Sequence, residues 1–140
     1  MSEFNWPVRV YFEDTDAGGI VYHARYLYFL ERARTEWLRE LGFNQSILKQ
    51  QNVLFVVRDM AIKWQKPALL DDALNISVKV VQVKKASLKM QQSITTQSEQ
   101  KLQADVTIAC INATNKKPMA IPQAILDLIT IGGEKGVKCE

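Results

Sequence analysis

One stretch constrains the fold more than any other. From about Ala24 to Leu41 the sequence ARYLYFLERARTEWLREL runs without Gly or Pro, and Tyr26, Leu30, Ala33, Trp37 and Leu41 recur three and four residues apart. That recurrence marks the apolar stripe of one α-helix. At ~1.5 Å per residue the helix is ~27 Å long, enough to cross a domain. Glu31, Arg32, Glu36, Arg39 and Glu40 fall on the opposite face, and Gly42 is placed to end the helix as a left-handed cap. No other segment reads as a helix of this length, so the core must be assembled around this one.

The remaining patterns have the period of strands. Val8, Val10 and Phe12 alternate with Arg9, Tyr11 and Glu13 before the helix. After a linker at about 43–51, the run from Val53 to Gln65 reads as a long strand ending near Pro67. Three more alternating sets follow: Leu74 to Val80, Ala86 to Ile94, and Leu102 to Cys110. Ser98 to Lys101 makes a tight polar connection, and the Val80-Val81 pair shifts the register as a bulge does. Pro122 fits the first turn of a short terminal helix carrying Ile125, Leu128 and Ile129. Strand, long helix and four closely joined strands predict an α+β domain spanning 1–140, an antiparallel sheet with one helix on it. One helix cannot cover five strands, and a second copy is the cheapest cover for what is left. A homodimer or homotetramer is therefore expected.

Composition narrows the class. The 140 residues are 47% hydrophobic and 24% charged, the balance of a soluble globular domain, and no stretch approaches the ~20 apolar residues of a membrane span. The first ten residues lack the pattern of a secretory leader, so a cytoplasmic protein is expected. Cys110 and Cys139 have no metal-ligand spacing and read as free thiols. The +3 net charge is spread along the chain, with no basic arm or stripe, so no nucleic-acid partner is expected.

Between the first strand and the helix lies YFEDTDAGGIVYH, from Tyr11 to His23, with three acids, two adjacent glycines and the only histidine. A helix start presents amide N–H groups without partners and roughly half a positive charge, which polarises a carbonyl or stabilises an oxyanion. Asp14 or Asp16 could then attack that carbonyl or activate water. A carboxylate is a plausible nucleophile only against a good leaving group, and a thiol with a pKa of ~8.5 is one, so thioester hydrolysis fits best. Acids before a helix are also ordinary caps, and a lone histidine is more often packed than catalytic. No metal set, phosphate loop or GxSxG elbow competes.

The run VRVYFEDTDAGGIVYHARYLYFLERARTEWL, and DTDAGGIVYH within it, resembles the 4-hydroxybenzoyl-CoA thioesterase family of hotdog-fold proteins. Within that family it is most similar to the Tol-Pal-associated acyl-CoA thioesterase branch. The similarity extends from about Val8 to Ile121-Pro122. The resemblance implies a hotdog fold, an antiparallel sheet wrapped around one long central helix, and active sites at a dimer interface. It implies Asp16 as the catalytic carboxylate, nucleophile or general base, with Asp14 a structural acid. His23 stands where the family's helix-start amide polarises the thioester carbonyl, and its imidazole matches this branch. Tyr22 is expected to shape the acyl site. Coenzyme A enters as part of the substrate, no separate cofactor or metal is implied, and Lys84, Lys85 or the Lys116-Lys117 pair could meet its phosphates. Ala17 stands where aryl-specific relatives tend to carry proline, which favours aliphatic acyl-CoA of short to medium length. A hotdog dehydratase, or a module that binds acyl carrier protein or an envelope partner, are the competing readings.

Overall fold

A computed structural model of the chain describes residues 3–97 and 99–129. Its elements are β1 (Phe4–Arg9), α1 (Arg25–Glu40), α2 (Gln45–Gln50), β2 (Val53–Trp64), β3 (Ala73–Val83), β4 (Ser87–Thr96), β5 (Glu99–Asn112) and α3 (Gln123–Leu126). The strands form one antiparallel sheet in the order β1-β3-β4-β5-β2, with α1 the only long helix among the described residues.

Alternation decides which sheet face meets the helix. Leu102, Ala104, Val106, Ile108 and Cys110 of β5 are buried, and their register neighbours on β4, Ile94, Met90 and Leu88, are buried with them. From α1, Tyr26, Phe29, Leu30, Ala33 and Leu38 enter the same core. Full burial of a side chain such as Phe29 or Leu30 is worth ~1.5–3 kcal/mol, so this stripe fixes the helix on the sheet. Trp37 and Leu41 of the expected stripe are half-buried at its edge.

Several local expectations shift. The first strand runs through Phe4, Trp6 and Val8 and stops at Arg9, so Phe12 is 80% exposed and not a strand residue. The cause is a 3₁₀ turn at Phe12–Asp14, in which the Asp14 carboxylate accepts the Tyr11 N–H at 2.8 Å. The linker after α1 contains α2, capped by the Asn44 side chain accepting the Ile47 N–H. Glu99, Gln100 and Lys101 already belong to β5, and Ser98 lies outside the described residues. Pro122 caps α3 from just outside it, and Leu128 is exposed while Ile125 and Ile129 are buried.

The bulge expected at Val80-Val81 is present, and a second interrupts the β2–β5 pairing at Arg58. β1 and β2 are the sheet edges. β1 is short and carries Pro7, but β2 presents twelve residues without a partner strand on its outer side.

Candidate active site

The loop before α1 is a miniature hairpin. Tyr22 N–H donates to the Asp14 carbonyl at 2.9 Å, Thr15 bridges Val21, and Asp16 N–H donates to the Ile20 carbonyl at 2.9 Å. Gly19, at φ +81°, closes the turn in a conformation that glycine adopts without strain. Val21 N–H and the Ile20–Leu69 bridge tie the hairpin to the chain between β2 and β3.

The two acids of this hairpin have different surroundings. Asp14 is buried, with its Oδ1 3.3 Å from Arg25 Nε and its Oδ2 on Tyr11 N–H, so its charge is spent on structure. Asp16 is exposed at the tip. Its Oδ1 accepts the Gly18 N–H at 2.8 Å, and its Oδ2 has no protein partner among the described residues. A Cβ at Gly18 would come within 3.3 Å of Oδ1, so the glycine leaves room for this pose.

α1 starts without a cap. Ala24 occupies the N-cap position, no side chain bonds the first turn, and no acid lies in it. Among the described residues no acceptor meets the amide N–H of His23 or Ala24. These are the orphan donors of a helix start, left open where anions are favoured. His23 is exposed and its ring lies tilted against that of Tyr22, with centroids 4.6 Å apart.

A cavity of about 330 Å³ opens beside this terminus, lined by Ile20, Val21, His23, Tyr26, Trp64 and Pro67 among others. Tyr26 is at its base, where the hydroxyl accepts the Ala68 N–H at 3.0 Å. Burial raises its pKa, the Ala68 and Lys101 interactions oppose that, and the charges of Asp72 and Asp16 reinforce it. Tyr26 and Trp64 stand outside the DTDAGGIVYH motif. Tyr26 lies one helical turn from His23, which is the signal that marks it.

Tyr22 and His23 are in contact and Asp16 stands on the other arm of the same hairpin, outside the lining of the cavity at His23, while Lys84 and Lys85 lie apart from all three. The lysines form the turn between β3 and β4, closed by Lys84 N–H on the Ser87 carbonyl. The hairpin joins the sheet at the other end of β3, roughly 30 Å away at ~3.3 Å per strand residue. Lys84 lines a cavity of about 170 Å³ with Arg58, Lys89, Gln82, Ser87 and Thr107, three cations without an acid among the lining residues. Arg58 and Lys89 carry no motif; only the bulge in β2 marks their place.

The described residues hold no cluster of three or more His, Cys, Asp or Glu suited to a metal ion, and no helix long and apolar enough to cross a membrane. The Cys110 thiol is buried and pushed up to about 11 by that burial, while Cys139 lies outside the described residues.

The model of the thioesterase-like superfamily matches residues 10–129. An acyl-CoA thioesterase of Haemophilus influenzae, YbgC, is 46% identical over 123 residues, covering 87% of this chain and 90% of that protein. The acyl-CoA thioesterase YbgC of Helicobacter pylori is 30% identical over 132 residues, covering 87% and 96%. Among solved structures, a probable thioesterase from Bartonella henselae superposes with a TM-score of 0.82 at 40% identity, covering 86% of this chain and 99% of that one.

Proposed function

The chain belongs to the thioesterase-like superfamily and has its hotdog fold, and from that premise we propose that it hydrolyses acyl-CoA thioesters to the free acid and coenzyme A through Asp16. The observation that carries this reading is the contrast within one hairpin. Asp14 is consumed by structure, whereas Asp16 has one oxygen held and one free, beside a helix start whose amides lack acceptors.

The thioester carbonyl oxygen takes the His23 amide N–H, which draws electron density from the carbonyl carbon. The free oxygen of Asp16 attacks that carbon, or takes a proton from a water that does. The C–S bond breaks, and the thiolate leaves readily because the thiol pKa is ~8.5. In the first route water then cleaves the mixed anhydride and restores the carboxylate. Tyr22 and the apolar wall of the cavity hold the acyl group, and the His23 imidazole orients it. The scheme uses only a carboxylate, an amide and water, so it runs without a resident metal or cofactor.

At this end of the chain Lys66 lines the cavity but pairs with Glu99, and Arg25 pairs with Asp14, so the phosphates of coenzyme A call for further cations. Two copies pairing antiparallel through the free edge of β2 would set the far end of one sheet beside the hairpin end of the other. That brings Lys84 and Lys85 of the second copy, with Arg58 and Lys89, toward the site. The homodimer is the smallest assembly that does so, and a homotetramer would repeat it. We assign the protein to the cytoplasm, where acyl-CoA is found, and expect short- to medium-chain aliphatic substrates.

The test is thiol release from a panel of aliphatic and aromatic acyl-CoA substrates, with and without EDTA. Hydrolysis of aliphatic members, unchanged by EDTA, is the expected result. No hydrolysis of any member would move the chain to carrier-protein substrates or to a binding role, and loss in EDTA would end the metal-free scheme.

A further inference from the structure

We propose that the cavity between the second half of α1 and strands β2, β4 and β5 is a binding site for a short-chain carboxylate, its head group on Arg34 and its hydrocarbon in the apolar interior. The cavity has a volume of about 160 Å³ and shares no lining residue with the one at His23. Trp37, Leu38, Phe55, Met90 and Ile108 supply apolar walls. Of the polar residues on the same space, Arg34 has donors left over and Gln45 has an oxygen without a partner.

Arg34 is half-buried, and burial lowers its pKa although the Glu31 charge works against that. Its Nη1 donates to Gln92 Oε1 at 2.9 Å, and the fully buried Gln92 passes its own amide to the Leu30 carbonyl at 3.1 Å. The guanidinium is thereby fixed in place with donors to spare. No carboxylate among the described residues comes within 4.0 Å of it, and Glu31, which also lines the cavity, forms no ion pair with it. A guanidinium drawn into an apolar setting without a counter-ion is costly, and an anion relieves the cost. Gln45 adds the second signal: its Oε1 is buried on the same cavity without a hydrogen-bond partner. Turning that amide by 180° aims its N–H groups at a bound carboxylate.

Volume sets the ligand size. A cavity of ~150 Å³ accepts a six-carbon molecule such as benzene, so acids of about four to six carbons fit. An apolar pocket with a few convergent polar groups is the usual form of a small-molecule site.

This assignment stands apart from the hydrolase reading, because its readout is binding and not turnover. Titration with hexanoate, followed by methyl NMR and calorimetry, is expected to give saturable shifts at Leu88, Met90 and Ile108. Arg34→Met should weaken binding tenfold or more, and 1-hexanol should not distinguish wild type from that variant. Because Arg34→Met leaves the buried Gln92 Oε1 without a donor and so lowers stability, Phe55→Trp serves as a second variant, which fills the cavity with the charge intact and should also lose hexanoate. The absence of saturable shifts in the wild type, or equal hexanoate affinity in folded Arg34→Met, would overturn the proposal. An active thioesterase indifferent to hexanoate would sink this inference alone.

Discussion

The two ends of α1 solve the same problem in opposite ways. At the C-terminal end Phe43 N–H returns to the Leu38 carbonyl and Gly42 N–H to the Arg39 carbonyl, with Gly42 at φ +97°. That is a Schellman cap, and it satisfies the orphan carbonyls within the chain. At the N-terminal end Ala24 offers no cap, the first turn has no acid, and the amides of His23 and Ala24 lack acceptors. A serine or aspartate cap is worth ~1 kcal/mol, so leaving it out lowers stability. What stands there instead is an exposed carboxylate and a cavity. On the proposed function, one end of the helix serves stability and the other reactivity.

If the ends are separable, variants should move one property and spare the other. The largest effect is expected from Asp16→Asn, which should lower kcat by about a thousandfold or more with the melting temperature unchanged, since the group is exposed and holds only Gly18. His23→Ala comes next, with roughly a tenfold loss in kcat, because the backbone amide survives the substitution; a loss as deep as that of Asp16→Asn would give the imidazole the larger role. On the other side, Gly42→Ala forces a side chain into a left-handed conformation and should cost ~1 kcal/mol, seen as a melting temperature a few degrees lower at full kcat. Smallest is Ala24→Asp, which places a negative charge at the open terminus. It should raise stability by ~0.5 kcal/mol and lower kcat several-fold, because the new carboxylate occupies the field intended for the substrate.

The frame of the molecule is written in periodicity. The Gly- and Pro-free run to Leu41, the alternation in Leu102 to Cys110 and the doubled valine at Val80-Val81 each correspond to an observed element. What periodicity cannot show is where local bonds override it. Phe12 continues the alternation of Val8 and Val10, yet the Asp14 carboxylate captures Tyr11 N–H and turns the chain first. Six residues around Ile47 and Leu48 are too short to display a helical stripe, and only the Asn44 cap announces them.

The candidate site was legible as a motif. DTDAGGIVYH marks a hairpin set at an uncapped helix start, with Asp14 buried in bonds to Tyr11 and Arg25 and Asp16 exposed. Trp64, Arg58 and Lys89 come to their cavities through tertiary packing and β-bulge geometry, which leave no pattern in neighbouring residues. Arg34 and Gln45 are further cases. In the sequence one is a charge on a helix and the other a linker residue, and only the fold turns both toward one cavity.

The most direct measurement is acyl-CoA turnover and thermal unfolding, recorded side by side for the wild type, Asp16→Asn and Gly42→Ala. The account predicts that Asp16→Asn abolishes thiol release at an unchanged melting temperature, while Gly42→Ala melts earlier and turns over normally. Thiol release retained by Asp16→Asn, or the two properties falling together in both variants, would contradict it.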